Sequence, residues 1–256
     1  MALIYWDLPL WKQEIFSRPN EQQLITNQQM KRIALLGGTS WPSTVEYYTE
    51  LNQLYNNALG GDHSCPLLLY NIDYQEIKSR YAHGWDEIPQ LLKTEIENIL
   101  ALDPAGLIIC NNTLHKAFDL IKNEMQIDVP VFHVVELTKT YILEQNWKRV
   151  LLLATKFTME DDFFKQPLID SGIQIEIPDL QERNEIQAIQ TELAKGIIKQ
   201  EYEDYFQKLT NKYADFDAFI LGCTELPLAF QNVNAKPALI NTIKLQCRKA
   251  MEFIIS

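Results

Sequence analysis

Short apolar runs without period-two alternation recur along this chain, each followed by a polar corner and then by helical spacing. Leu107-Ile108-Ile109-Cys110 runs into Asn111-Asn112-Thr113-Leu114-His115. Ala218-Phe219-Ile220-Leu221 runs into Gly222-Cys223-Thr224-Glu225. A strand that faces water on one side alternates apolar and polar residues, whereas a strand apolar throughout is covered on both faces. Strands alternating with helices build βαβ units, whose strands run parallel in one sheet. In open sheets of this kind, ligands bind beyond the carboxyl ends of the strands, where helix N-termini gather. The two corners are therefore candidates for one site. The thiols Cys110 and Cys223 point to proton transfer or nucleophilic chemistry there.

The pattern divides the chain into an N-terminal extension and two similar series. Residues 30–137 read as a first α/β domain, with strands at 33–36, 66–70, 107–110 and 131–134. Helices fall at 44–58, 88–102 and 114–125. Residues 138–240 read as a second, with strands at 150–154, 173–177, 218–221 and 238–240. Its helices fall at 138–145, 160–171, 182–198 and 201–214. The C-terminal helix within 241–256 is expected to return to the first domain. The expected fold is α/β. It has two three-layer αβα domains around parallel four-stranded sheets, related by a pseudo-twofold, with the active site in the interdomain cleft.

Residues 1–29 stand apart. Trp6, Leu8, Leu10, Trp11, Ile15 and Phe16 precede a Gln/Asn-rich stretch. Two readings stay open: a loose tail, or an arm whose tryptophans pack on a neighbouring subunit. Asp7 and Lys12 interrupt the apolar stretch, so it does not read as a signal peptide.

The net charge of -11 provides no basic surplus to neutralise phosphates, which argues against a nucleic-acid partner. No apolar run reaches the roughly 20 residues that span a bilayer. The four cysteines, Cys65, Cys110, Cys223 and Cys247, show neither Cys-x-x-Cys pairing nor zinc-ligand spacing. No metal is expected, and the setting inferred is reducing and cytoplasmic. Gly37-Gly38 alone is not a dinucleotide fingerprint.

Several motifs together carry a family resemblance. Leu35-Leu36-Gly37-Gly38-Thr39-Ser40-Trp41-Pro42-Ser43-Thr44, followed by Tyr47-Tyr48, resembles the opening of aspartate/glutamate racemases. Asn112-Thr113-Leu114-His115 resembles that family's Asn-Thr-x-His. Leu152 to Met159 resembles its second-domain opening, and Gly222-Cys223-Thr224-Glu225 its second cysteine motif. The resemblance implies a homodimer that acts on a small amino acid or dicarboxylate without pyridoxal phosphate or any other cofactor. In the family, two cysteines on opposite faces of the substrate Cα take and return a proton. The resemblance makes Cys223 one acid/base. It assigns Asn112, Thr113 and Thr224 to carboxylate binding, and Ser40, Thr155 and Lys156 to cleft contacts. Donors at helix starts suit the charge that develops on the carboxylate.

The sequence departs from the family at the other cysteine. Ungapped alignment puts Asn111 at that catalytic position, one residue after Cys110. A shift of one residue on a strand reverses the side chain. Cys110 is expected to face the packing, and to reach the cleft only if the strand is displaced. Asn111 hydrogen-bonds but does not exchange protons near neutral pH. Near the closing helix, Asn241 and Gln246 stand where the family shows Asp and His; two changes from ionisable to neutral side chains suggest altered chemistry, with a plain surface position the alternative for Gln246. Glu225 reads as a carboxylate in a first helical turn, and Asp73 and Arg80 as a solvated loop. Three functions follow: a racemase with a substituted second acid/base, a single-cysteine decarboxylase or isomerase, or a non-catalytic carboxylate binder.

Overall fold

The computed structural model describes residues 31–256. The expected extension over 1–29 and its tryptophan arm lie outside the described residues. The first half contains β1 (Ile33–Gly37), α1 (Trp41–Leu59), β2 (Leu67–Asn71), α2 (Gln75–Ser79), α3 (Ile88–Leu100), β3 (Gly106–Ile109), α4 (Leu114–Ile121) and α5 (Val134–Glu144). The second contains β4 (Arg149–Leu153), α6 (Lys156–Glu160), α7 (Asp162–Ile169), β5 (Gln174–Glu176), α8 (Leu180–Leu193), α9 (Gln200–Lys212), β6 (Ala218–Leu221) and β7 (Ala238–Asn241). The closing helix α10 is Thr242–Ile255.

Two parallel sheets result, in the orders β2-β1-β3 and β5-β4-β6-β7. Strands β1, β3 and β6 are buried on both faces, as their unbroken apolar runs require, whereas β2, β5 and β7 at the sheet edges are partly exposed. In the first sheet, Ala34, Leu36, Leu107 and Ile109 pack toward α3 and α4. Their alternates Ile33, Leu35, Ile108 and Cys110 pack toward α1 and α10. Ile243, Cys247, Ala250 and Ile254 of α10 join that second layer, so the C-terminal helix covers the first sheet.

The first sheet has three strands where four were expected. The segment expected to be its fourth makes a single parallel bridge, Leu107 to Val131. Pro130 supplies no N–H to a ladder, and α5 starts at Val134, so nothing remains to extend the pairing. The helix expected at 160–171 is also interrupted. Asp161 is extended at φ -79° and ψ 155°, and its carboxylate caps α7 by accepting from Phe163 N–H at 2.9 Å.

The β1 corner depends on Gly38, whose φ is +86°. A Cβ there would lie 2.2 Å from the Ile72 carbonyl oxygen. Only glycine allows this turn to lie against the strand-end of β2. Among the described residues, no helix is long and apolar enough to cross a membrane.

Candidate active site

The corners after β1, β3 and β6 and the start of α6 converge on one cavity of about 220 Å³. Its lining includes Ser40, Asn111, Asn112, Thr113, Thr155, Cys223 and Thr224. The structure thus brings together seven of the residues singled out in the sequence, and both halves contribute. It does not bring in Lys156 or Cys110. Lys156 begins α6, its N–H held by the Gln187 side chain at 2.8 Å. Its ammonium extends along α8 to Asn184 Oδ1 at 2.9 Å. Cys110 is wholly buried in the layer of Cys247 and Ile243 and does not line the cavity.

Cys223 is 4% exposed. Its thiol donates to Glu225 Oε2 at 2.7 Å, and Thr224 Oγ1 donates to the same oxygen at 3.2 Å. Burial, then the Glu225 charge, pushes the thiol pKa well above its ordinary value, while Lys78 pulls the other way. The resting sulfur is therefore a thiol with a carboxylate already placed at its proton. Glu225 does not open an α-helix as the sequence suggested. Pro227 follows closely, and only a 3-10 turn forms, Leu226–Ala229. Glu225 itself lines the cavity.

At the opposite corner, Asn111 Oδ1 accepts from Leu114 N–H at 3.0 Å and so secures the start of α4. Its Nδ2 donates to Tyr74 Oη at 3.3 Å. Asn112 Nδ2 donates to Thr242 Oγ1 at 3.0 Å, leaving its Oδ1 buried without a partner. Ser40 Oγ is likewise buried and unpartnered. A buried polar atom without a partner costs free energy, and a polar ligand in the cavity would remove that cost. The backbone N–H groups of Asn112, Thr113, Cys223 and Thr224 make no internal hydrogen bond among the described residues. Donors of this kind at strand-to-helix corners suit a carboxylate.

The halves meet beside the cavity. Thr113 Oγ1 lies 3.2 Å from Thr158 Oγ1, and Lys116 pairs with Asp161. Trp85 stacks on Phe157 with centroids 4.8 Å apart. The sequence reading missed Tyr74, Lys78 and Tyr81, which also line the cavity. They flank or belong to the one-turn helix α2, in a stretch read as a solvated loop. A helix of five residues is too short for helical periodicity to flag them. The residues flagged in that stretch have other partners. Arg80 pairs with Glu87 at 2.6 Å, and Asp73 accepts from Gln75 N–H at 3.1 Å.

Gln246 is fully buried rather than a surface residue. Its Oε1 accepts from Tyr47 Oη at 2.5 Å, and its Nε2 donates to Phe132 O at 2.8 Å. A neutral amide satisfies both neighbours at once, which explains its burial. Asn241 caps α10, its Oδ1 accepting from Lys244 N–H at 3.2 Å. His115 is buried against His133 and does not line the cavity. Among the described residues, no three His, Cys, Asp or Glu side chains converge as a metal site requires.

The chain resembles known proteins throughout this architecture. The Asp/Glu/Hydantoin racemase family matches residues 36–250. A candidate Asp/Glu racemase from Yersinia pestis superposes with a TM-score of 0.78 at 31% identity, covering 89% of this chain and 100% of its own. An aspartate racemase homologue from Pyrococcus horikoshii gives 0.77 at 27% identity, with coverage of 89% and 100%. The glutamate racemase of Francisella tularensis, in complex with D-glutamate, gives 0.59 at 14% identity, with coverage of 88% and 81%. That last likeness is one of fold.

Proposed function

Because the chain belongs to the Asp/Glu/hydantoin racemase family, we propose that it moves a proton at the Cα of an acidic amino acid, without pyridoxal phosphate. Cys223 is the sulfur acid/base on one face. The observation that carries this reading is the buried Cys223 thiol donating to Glu225 at 2.7 Å in a cavity fed by both halves. Glu225 receives the thiol proton, and the thiolate then takes the proton from Cα. Lys78 is the one cation lining the cavity among the described residues. Its charge favours both the thiolate and a dicarboxylic substrate. The free N–H groups of the two corners receive the α-carboxylate, where negative charge grows as the Cα–H bond breaks. Asn112 Oδ1, an unpartnered acceptor, suits the substrate ammonium.

The test is incubation with L- and D-aspartate and L- and D-glutamate in D2O, following Cα deuteration and chirality. Inversion accompanied by exchange is expected for one of these pairs. No exchange with any of the four would count against the reading. One observation favours a second reading: among the described residues, Cys223 is the only thiol lining the cavity. One-sided protonation after loss of carbon dioxide from a malonate-type acid needs no more. That reading predicts carbon dioxide release that Cys223→Ala abolishes.

A further inference from the structure

Racemisation needs a proton donor on each face of Cα, and the amide of Asn111 donates none near neutral pH. The chain gathers two phenols around that amide. Asn111 Nδ2 donates to Tyr74 Oη at 3.3 Å, and Tyr74 Oη donates to Tyr81 Oη at 2.5 Å. Tyr74 and Tyr81 line the same cavity as Cys223. They follow β2 of the first half, whereas Cys223 follows β6 of the second. A tyrosine is longer than a cysteine, and from the end of β2, on the far side of β1 from β3, its hydroxyl still reaches Asn111. We propose that Tyr74 is the acid/base for the second face of the substrate Cα, held in place by Asn111 and Tyr81. This inference rests on the racemase reading above.

In one direction the Cys223 thiolate takes the Cα proton, and the C–H electron pair delocalises into the substrate carboxylate. The Tyr74 O–H bond breaks as its proton forms the new C–H bond on the opposite face. Cys223 is left as a thiol and Tyr74 as a phenolate. In the other direction the phenolate takes the Cα proton and the thiol returns one. Between turnovers the thiol proton leaves through Glu225 to water, and water returns a proton to Tyr74. Nothing is oxidised or reduced.

The surroundings suit both states of the phenol. Burial first, then the adjoining Tyr81, keeps the Tyr74 hydroxyl protonated at rest. Once it has given up its proton, the oxygen accepts from Asn111 Nδ2 and from a rotated Tyr81 hydroxyl. The Lys78 ammonium lies 4.9 Å from the centre of the Tyr81 ring, which places a positive charge close by.

The experiment uses the intact protein in D2O with both enantiomers of whichever acidic amino acid it turns over. Tyr74→Phe is expected to invert at least about 100-fold more slowly, a typical loss for one general acid. Cα deuteration of one enantiomer continues with retained configuration, because Cys223 still works its own face. Adding Asn111→Cys to Tyr74→Phe restores inversion by supplying a thiol at that corner. Inversion by Tyr74→Phe within about threefold of wild type overturns the proposal. So does equal loss of exchange from both enantiomers, which marks a binding or structural role. Should Tyr74→Phe fail to fold, Asn111→Ala leaves the phenol present but unanchored. Slower inversion with persistent one-sided exchange then supports the proposal, and equal loss of both overturns it. Wild-type protein inert toward all four acidic amino acids defeats the racemase reading before any variant is made, and this proposal falls with it.

Discussion

The corners after β3 and β6 follow similar strands and carry different side chains. Each ends a buried parallel strand that pairs with the central strand of its half. Each presents a threonine and free N–H groups to the cavity. At the β6 corner the decisive side chain is a thiol whose proton already points at a carboxylate. At the β3 corner it is an amide that secures α4 with its oxygen and reaches a tyrosine with its nitrogen. The sheet determines where chemistry can occur, and the corner residue determines which chemistry. On the proposal above, the loop after β2 supplies the acid/base that the β3 corner lacks.

The sharpest way to break the comparison is to remove the reactive corner. Cys223→Ala is expected to reduce Cα deuteration of every substrate by about 10³-fold or more, the range for loss of a principal acid/base. The fold should survive, because the sulfur borders the cavity and the change removes a single buried atom. Retained exchange would place the base elsewhere. The next largest effect is expected from Glu225→Gln, which keeps the shape and loses the proton acceptor. Exchange should fall by about 10²-fold. An unchanged rate would reduce Glu225 to a structural acceptor for Cys223 and Thr224.

Much of this contrast was legible in the sequence, and its limits have physical causes. The strands were readable because burial on both faces forces continuous apolar runs, as at Ile33–Gly37 and Ala218–Leu221. The inward direction of Cys110 followed from strand parity, and the structure places it among Cys247 and Ile243. Three features were not readable from local pattern. Val131 has strand character, but Pro130 and the early start of α5 leave it a single bridge. Gln246 looked like a surface amide because its partners Tyr47 and Phe132 are distant in sequence. Tyr74, Lys78 and Tyr81 sit around a helix of five residues, too short for periodicity to register. Lys156, expected as a cleft contact, instead bonds Gln187 and Asn184 and does not line the cavity.

A smaller effect is expected from the cation that both corners share. Lys78 makes no ion pair with a carboxylate among the described residues, and its side chain borders the cavity and its open extension along Asn71 and Asp73. Lys78→Met should raise KM for acidic amino acids by about tenfold, equivalent to about 1.4 kcal/mol of binding. The change in kcat should be smaller, as for a group that holds substrate and transition state alike. Steady-state kinetics separates the two parameters. A fall in kcat at unchanged KM would instead assign Lys78 to the proton-transfer step.

The mildest expected effect separates the corners by stability rather than activity. Only the β3 corner is followed by a buried histidine, His115, whose ring centre lies 4.4 Å from that of His133. Its Nε2 is 3.5 Å from Gln246 Nε2. Burial, then the facing His133, holds its pKa well below 6.5, although the Asp119 carboxylate favours the charged form. An unfolded histidine titrates near 6.5. Above that pH both states are neutral, and the contribution of His115 to stability is fully present. As pH falls below it, the unfolded chain binds a proton that the folded chain refuses, so stability declines at up to about 1.4 kcal/mol per pH unit. Melting curves at pH 7.5, 6.5 and 5.5 should show a drop of a few degrees, concentrated below pH 6.5. His115→Gln should lower the melting temperature at neutral pH yet flatten that slope. An equal slope in the variant would assign the acid sensitivity to other groups and remove this difference between the two corners.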